Sequence, residues 1–271
     1  MNHYGYFYQN DRYYFKETPI MQLKFGFKTD IGRKRSQNQD NGKALPEIGL
    51  FVVADGMGGH RGGEIASSIA VNTISSFVAT QVQENSKQLT PETAEKLLQK
   101  AILEANQTII HESKNNPTLN GMGTTVVATL FYKKRLIIGH VGDSRCYFLK
   151  SGAIWQLTRD HSLVQEKLRA GLINRNEAKT DRMKNIITRA VGFDEKLEVD
   201  LYKMTLQTGD LFLLCSDGLS SLLDDSNILN VIEKTSCSES PSLQNTACAL
   251  VDKANEMGGD DNITSLLVQV V

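Results

Sequence analysis

The chain has 271 residues, 40% of them hydrophobic, with 30 basic and 31 acidic side chains and a formal net charge of −1. That length and composition suit one large globular domain or two small ones. Near-neutral charge does not suggest a nucleic-acid binder, which would need a basic stripe, and neither a membrane-spanning run nor a secretory leader is evident. The four cysteines, Cys146, Cys215, Cys237 and Cys248, show no CxxC or zinc spacing. A reduced, cytoplasmic, soluble protein is therefore expected, with no nucleic acid and no membrane among its partners.

Residues 1–21 concentrate tyrosine (Tyr4, Tyr6, Tyr8, Tyr13, Tyr14) beside Phe7 and Phe15, and read as an extension of unassigned role. From Leu23 the order reads strand, loop, strand, helix. Ile65, Ile69, Ile74, Phe77 and Val78 gather near one face of a helix over 64–78. Thr90-Pro91 supplies an N-cap and a first-turn proline for a second helix reaching about Lys114. Strands follow without intervening helices. Thr124–Tyr132 and Arg135–Val141 turn at Lys133-Lys134, and Cys146–Lys150 and Ala153–Leu157 turn at Ser151-Gly152. A helical insert over Leu163–Ile173 and a charged stretch to Asn185 come next. Strands near Leu197–Met204 and Leu211–Cys215, a helix near Thr246–Met257 and a last strand complete the order. Hairpins imply antiparallel sheets, so the class is α+β, with helices outside a two-sheet core.

The chemistry lies in aspartates beside short apolar runs. Phe51-Val52-Val53-Ala54 leads to Asp55-Gly56, Leu136 to Gly142 leads to Asp143, and Leu211 to Ser216 leads to Asp217-Gly218. Asp260-Asp261-Asn262 precedes Ile263 to Val268. Any one Asp-Gly after a strand is explained by a turn. Together, carboxylates at the ends of several strands can meet on one rim, where they raise one another's pKa unless something neutralises them, which hard divalent cations do best. Oxygen ligands of this kind suit Mg²⁺ or Mn²⁺. Arg35, a short way before Asp40, offers a planar fork that matches a phosphate. The turn Asp55-Gly56-Met57-Gly58-Gly59-His60 lacks the Gly-Lys-Ser/Thr of a nucleotide loop, so its glycines fit close backbone approach to a metal.

These segments stand in an order that resembles one family. Asn38-Gln39-Asp40, Val53-Ala54-Asp55-Gly56-Met57-Gly58-Gly59, Gly123-Thr124-Thr125 and Val141-Gly142-Asp143-Ser144-Arg145 carry the first half of the likeness. Leu157-Thr158-Arg159-Asp160-His161-Ser162, Cys215-Ser216-Asp217-Gly218-Leu219 and Asp260-Asp261-Asn262-Ile263-Thr264 carry the second. They are similar to the motifs of the metal-dependent (type 2C) Ser/Thr protein phosphatases in their compact bacterial form, over about residues 22–271. The resemblance implies a four-layer αββα sandwich with a cluster of Mn²⁺ or Mg²⁺ at one end. It implies that Asp55 bridges two core ions, with the Gly56 carbonyl on the first and Asp217 and Asp261 on the second. Asp143, with Asp217, would hold a third, labile ion. Asp40 would bond metal-bound water and Arg35 would clamp the substrate phosphate. The expected reaction is hydrolysis of phosphoSer and phosphoThr by a metal-bridging water, without a covalent intermediate.

Partners implied by the same resemblance are phosphorylated proteins and an opposing Ser/Thr kinase, and a monomer is expected. Many eukaryotic members have His where this chain has Met57, a thioether that cannot act as an acid. His60 is the candidate acid in its place, with metal-bound water as the alternative, and His161 reads either as functional or as a cap. The stretch 162–185 is similar to the family's flap, and its Lys167, Arg169, Arg175, Lys179, Arg182 and Lys184 suit either steering of a phosphopeptide or a solvated face. A cysteine-nucleophile phosphatase is disfavoured, since Ser221 stands where its arginine would follow Cys215. A non-catalytic scaffold would have lost metal ligands that this chain keeps.

Overall fold

The computed structural model describes residues 22–58, 61–85, 89–183, 185–237 and 241–271. The Tyr-rich extension and the candidate acid His60 therefore lie outside the described residues.

The strands are β1 (Leu23–Asp30), β2 (Asp40–Leu45), β3 (Leu50–Met57), β4 (Gly123–Thr124), β5 (Val126–Tyr132), β6 (Arg135–Val141), β7 (Arg145–Lys150), β8 (Ala153–Gln156), β9 (Asp200–Thr205), β10 (Leu211–Cys215) and β11 (Ile263–Val270). The helices are α1 (Gly62–Asn85), α2 (Pro91–Asn115), α3 (Leu163–Arg169), α4 (Arg175–Thr180), α5 (Asp217–Ser220), α6 (Asp225–Ser236) and α7 (Leu243–Glu256). One sheet runs β1-β11-β10-β7-β8; the other runs β2-β3-β5-β6-β9, with β4 paired to β3. Every pairing is antiparallel. This is the expected αββα sandwich.

Side-chain alternation sorts each strand between two cores. In β3, Phe51 and Val53 face the opposite sheet, while Leu50, Val52 and Ala54 face α1 and α2. In β10, Phe212 and Leu214 face inward and Leu213 and Cys215 pack under α6 and α7. Between the sheets, Phe51, Phe131, Phe212 and Phe148 make an unbroken chain of ring contacts that the exposed Phe25 and Trp155 extend at its two ends, each contact 5.4–5.9 Å between centroids. Such tilted, edge and stacked contacts add to plain area burial.

Local chemistry explains the element ends. Thr90 caps α2 in a reciprocal box with Thr93, and Pro91 begins the helix. Lys133, Ser151 and Gly152 take positive φ (53°, 52° and 75°), as tight hairpins require.

Four readings need correction. The insert is two helices, because Gly171 at φ 70° ends the turn after α3 and Asn174 caps α4 through Asn176 and Glu177. Helix α6 was not anticipated; Asp224 caps it, and Ile228 and Ile232, one turn apart, are its buried face. The strand placed near 197–204 begins only at Asp200. A run long and apolar enough to span a membrane does exist, Gly62–Glu84 in α1 with mean hydropathy 1.3. Ser, Thr and Asn rather than charges occupy its outer face, and the helix packs on β3 and α2, with Ala66, Ala70, Ile74 and Val78 buried.

Candidate active site

At one end of the sandwich the inward-facing apolar rows turn polar. Continuing the alternation of β3 past Val53 puts Asp55 in the gap between sheets, and Asp40 is its direct partner across β2–β3. The same parity after Phe212 and Leu214 brings Ser216 into the gap, and before Leu266 it brings Thr264. Both hydroxyls donate to Asp40 Oδ2, Ser216 at 2.7 Å and Thr264 at 2.6 Å. The Asp55 backbone N–H donates to Thr125 Oγ1 at 2.9 Å, which meets Ser144 Oγ at 2.7 Å. Thus the rim is built by both sheets.

Two close backbone approaches bring the other carboxylates in. Gly218, beside Asp217 at the start of α5, lies against the Asn262 carbonyl; a Cβ there would overlap it and stand 3.3 Å from Asp261 Cβ. Gly56 lies likewise against Gly63 at the start of α1, with a Cβ only 2.7 Å from the Gln39 carbonyl oxygen. Asn262 fastens the loop between β1 and β2: its Oδ1 accepts from Gln39 N–H at 2.8 Å, and its Nδ2 donates to Ile31 O and Gln37 O at 2.9 Å. That loop carries Arg35.

Asp40, Asp55, Asp143 and Asp217 thereby share one electrostatic site. Burial, then the charges of Asp40, Asp217, Asp143 and Asp261, hold the Asp55 carboxyl well above the usual range. Burial lifts Asp143 to about 8, with Asp217 and Asp160 adding to it. Asp40 rises to about 7 by burial, opposed by its two hydroxyl partners and reinforced by Asp217 and Asp261. Asp217 is raised too, by burial and Asp261, while it hydrogen-bonds Asp55. Two carboxyls in that contact share a proton unless a cation takes its place.

The donor set fits hard divalent ions. Every group is an oxygen, and Asp40 Oδ1 and Asp143 Oδ1 are buried without a hydrogen-bond partner. Among the described residues no three His, Cys, Asp or Glu side chains form a preformed cage around one point.

Arg35 sits at this rim, but its Nη2 bonds Asp261 Oδ2 at 2.6 Å, and its side chain is 51% exposed. Asp261 Oδ1 accepts its neighbour's N–H, from Asn262 at 2.8 Å. Arg35 therefore reaches the site through a carboxylate rather than standing free for phosphate. In the insert, Lys167 is tied to Asp181 at 2.9 Å and is less available for steering than its charge suggested.

Sequence reasoning gave no role to Ser216, Thr264, Thr125, Ser144 or Asn262. Their signal was position: small polar residues at the inward parity just where apolar runs stop. It also missed the half-buried ion pair of Arg145 and Asp160, with Nη2–Oδ2 at 2.7 Å and Nε within 3.0 and 3.1 Å of the two oxygens.

Comparison with known proteins agrees with this architecture. The family model for protein phosphatase 2C matches residues 32–251. The serine/threonine phosphatase Stp of Listeria monocytogenes serotype 4b is 42% identical over 246 residues, 90% of this chain and 94% of that one. The Mycobacterium tuberculosis serine/threonine phosphatase PstP superposes with a TM-score of 0.81 at 32% identity, covering 92% of this chain and 98% of that one. A PstP catalytic domain in complex with two manganese ions gives 0.79 at 32% identity, with the same coverage. The chain belongs to the protein phosphatase 2C family and is a phosphoprotein phosphatase of its bacterial Ser/Thr type.

Proposed function

We propose that the chain hydrolyses phosphoserine and phosphothreonine in proteins at the carboxylate rim, using Mn²⁺ or Mg²⁺. The observation that carries this reading is the convergence of Asp40, Asp55, Asp143 and Asp217 in one buried, mutually repelling group of oxygen donors. Asp55 and the Gly56 carbonyl would hold one core ion, Asp55, Asp217 and Asp261 the other, and Asp143 with Asp217 a third. When bound, such ions supply an acidified water as nucleophile and neutralise the phosphoryl oxygens, so no covalent enzyme intermediate is required.

The chain's own groups orient that chemistry. Asp40, its Oδ2 saturated by Ser216 and Thr264, presents Oδ1 as a fixed acceptor for a water proton. Arg35 exchanges its bond to Asp261 for the substrate phosphate, which its fork matches. Residues 22–271 act as the catalytic domain, with 162–185 as a flap beside the rim. A reducing cytoplasm suits the four free thiols, and a Ser/Thr kinase would supply the substrates.

The test is hydrolysis of para-nitrophenyl phosphate and a phosphothreonine peptide, with Mn²⁺ or with EDTA, for wild type and Asp217→Ala. Activity that needs Mn²⁺ and collapses in the variant supports the reading. A folded, metal-loaded wild type inert on both substrates refutes it.

A further inference from the structure

The turn carrying Asp143 is only Gly142-Asp143-Ser144, between the end of β6 and the start of β7. Both of its ends are gripped by imidazoles. His140, wholly buried in the last turn-ward part of β6, lies with Nε2 2.8 Å from the Ser144 carbonyl oxygen. A carbonyl only accepts, so Nε2 carries the proton. His161 stacks beside it, 4.9 Å between centroids and 37° between planes, and is 4% exposed. Its Nδ1 accepts the Gly142 N–H at 3.0 Å, and its own backbone N–H donates to the Gly142 carbonyl at 2.8 Å.

These bonds fix the tautomer. The Gly142 N–H can only donate, so His161 Nδ1 is bare and Nε2 bears the proton; Asp200 Oδ2 and Arg189 Nη1 both lie 3.2 Å from Nε2, and only the carboxylate can accept it, the guanidinium being itself a donor. Asp200 is held in turn by Arg189 Nη1 at 2.7 Å. Burial lowers His161 and takes His140 down to about 3, with the neighbouring imidazole adding to the latter. Both rings are therefore neutral and suited to these bonds. Gly142 adopts φ 106°, with the Thr125 side chain 2.6 Å from where a Cβ would stand, so the turn has little room to relax.

We propose that His161, braced by His140, is a positioning residue that presets Asp143 for a divalent ion. The inference rests on reading Asp143 as a ligand of the third ion. Asp143 Oδ1 is buried without a partner, at the centre of a turn whose two ends are already fixed. An oxygen aimed in advance binds more tightly, and loss of such supporting bonds typically weakens metal binding about 10–100-fold.

The experiment is Mn²⁺ titration of the full chain by calorimetry and electron paramagnetic resonance, with thermal unfolding recorded for each variant. In His161→Leu the weak class of sites should lose about 10-fold or more in affinity while the tight class is unchanged. His161→Asn, whose Oδ1 replaces Nδ1 as acceptor for Gly142, should restore most of the loss. His161→Gln, which reaches toward Asp200 instead, should not. Should His161→Leu fail to fold, the contrast between Asn and Gln carries the test. Unchanged weak binding in Leu, equal weakening of both classes, or equal binding by Asn and Gln would each overturn the proposal. Asp143→Asn should abolish the weak class; if it does not, the ligand reading of Asp143 fails, and the proposal loses its premise.

Discussion

Replacing Asp40 by Asn should stabilise the metal-free protein while it cripples the enzyme. Asp40 has both a packed environment and charged neighbours, and its carboxyl is pushed from 3.8 to about 7. That gap corresponds to about 4 kcal/mol of preference for the neutral form in the fold. Folded Asp40 holds its proton more tightly than the unfolded chain does. Its contribution to stability is therefore fully present below about pH 4 and is lost as pH rises through about 7. Asparagine removes the charge and keeps an oxygen for Ser216 and Thr264, while its amide can donate toward Asp217 or Asp261. Part of the polar burial penalty remains, so a gain of about 2–3 kcal/mol at pH 8 is expected, shrinking toward zero near pH 4. For a chain of this size that is a rise of about 5–10 °C in Tm. Thermal unfolding in EDTA at pH 5 and pH 8 measures it. With Mn²⁺, the same variant should lose on the order of 100-fold in kcat. A stability difference that does not grow with pH, or a less stable variant at pH 8, would refute the electrostatic account of the rim.

Other perturbations follow from the same geometry. Asp160→Asn strips the charge from the fork-shaped partner of Arg145 and should cost about 3 kcal/mol or more, read as a Tm drop of roughly 10 °C. Gly218→Ala drives a methyl into the Asn262 carbonyl and separates Asp217 from Asp261; activity should fall further than stability, which should drop by about 1–3 kcal/mol. Arg35→Ala should raise KM for a phosphorylated peptide about 10-fold or more. Its effect on stability should stay under about 1 kcal/mol, because the ion pair with Asp261 is largely exposed. Steady-state kinetics beside unfolding curves separates these outcomes.

The two-sheet core was legible because the strands alternate cleanly and their hairpins are tight. Phe212, Leu214 and Ser216 follow one parity, and Phe51, Val53 and Asp55 follow the other sheet's, so the polar rim is written as the next inward residue after each apolar row. Helix α2 was legible through Thr90 and Pro91. Helix α6 was not, because its apolar face is narrow and Asp224, Asp225, Ser226 and Asn227 look like a loop until Ile228 and Ile232 are placed beneath them. Helix α4 hid in charge for a similar reason; its Asn174 cap was the only local sign. The contact between Arg35 and Asp261 links positions far apart in sequence, and only the stapling of the β1–β2 loop by Asn262 brings them together. His161 illustrates the same limit: its ring means little until the turn at Gly142 folds against it.

The most direct test is anomalous diffraction from crystals grown with Mn²⁺, recorded at a wavelength where manganese scatters strongly. The metal-centre account predicts peaks within about 2–2.5 Å of carboxylate oxygens of Asp55, Asp217 and Asp261, with a weaker peak at Asp143. A well-ordered rim without manganese, its aspartates still paired with one another and with Arg35, would contradict it.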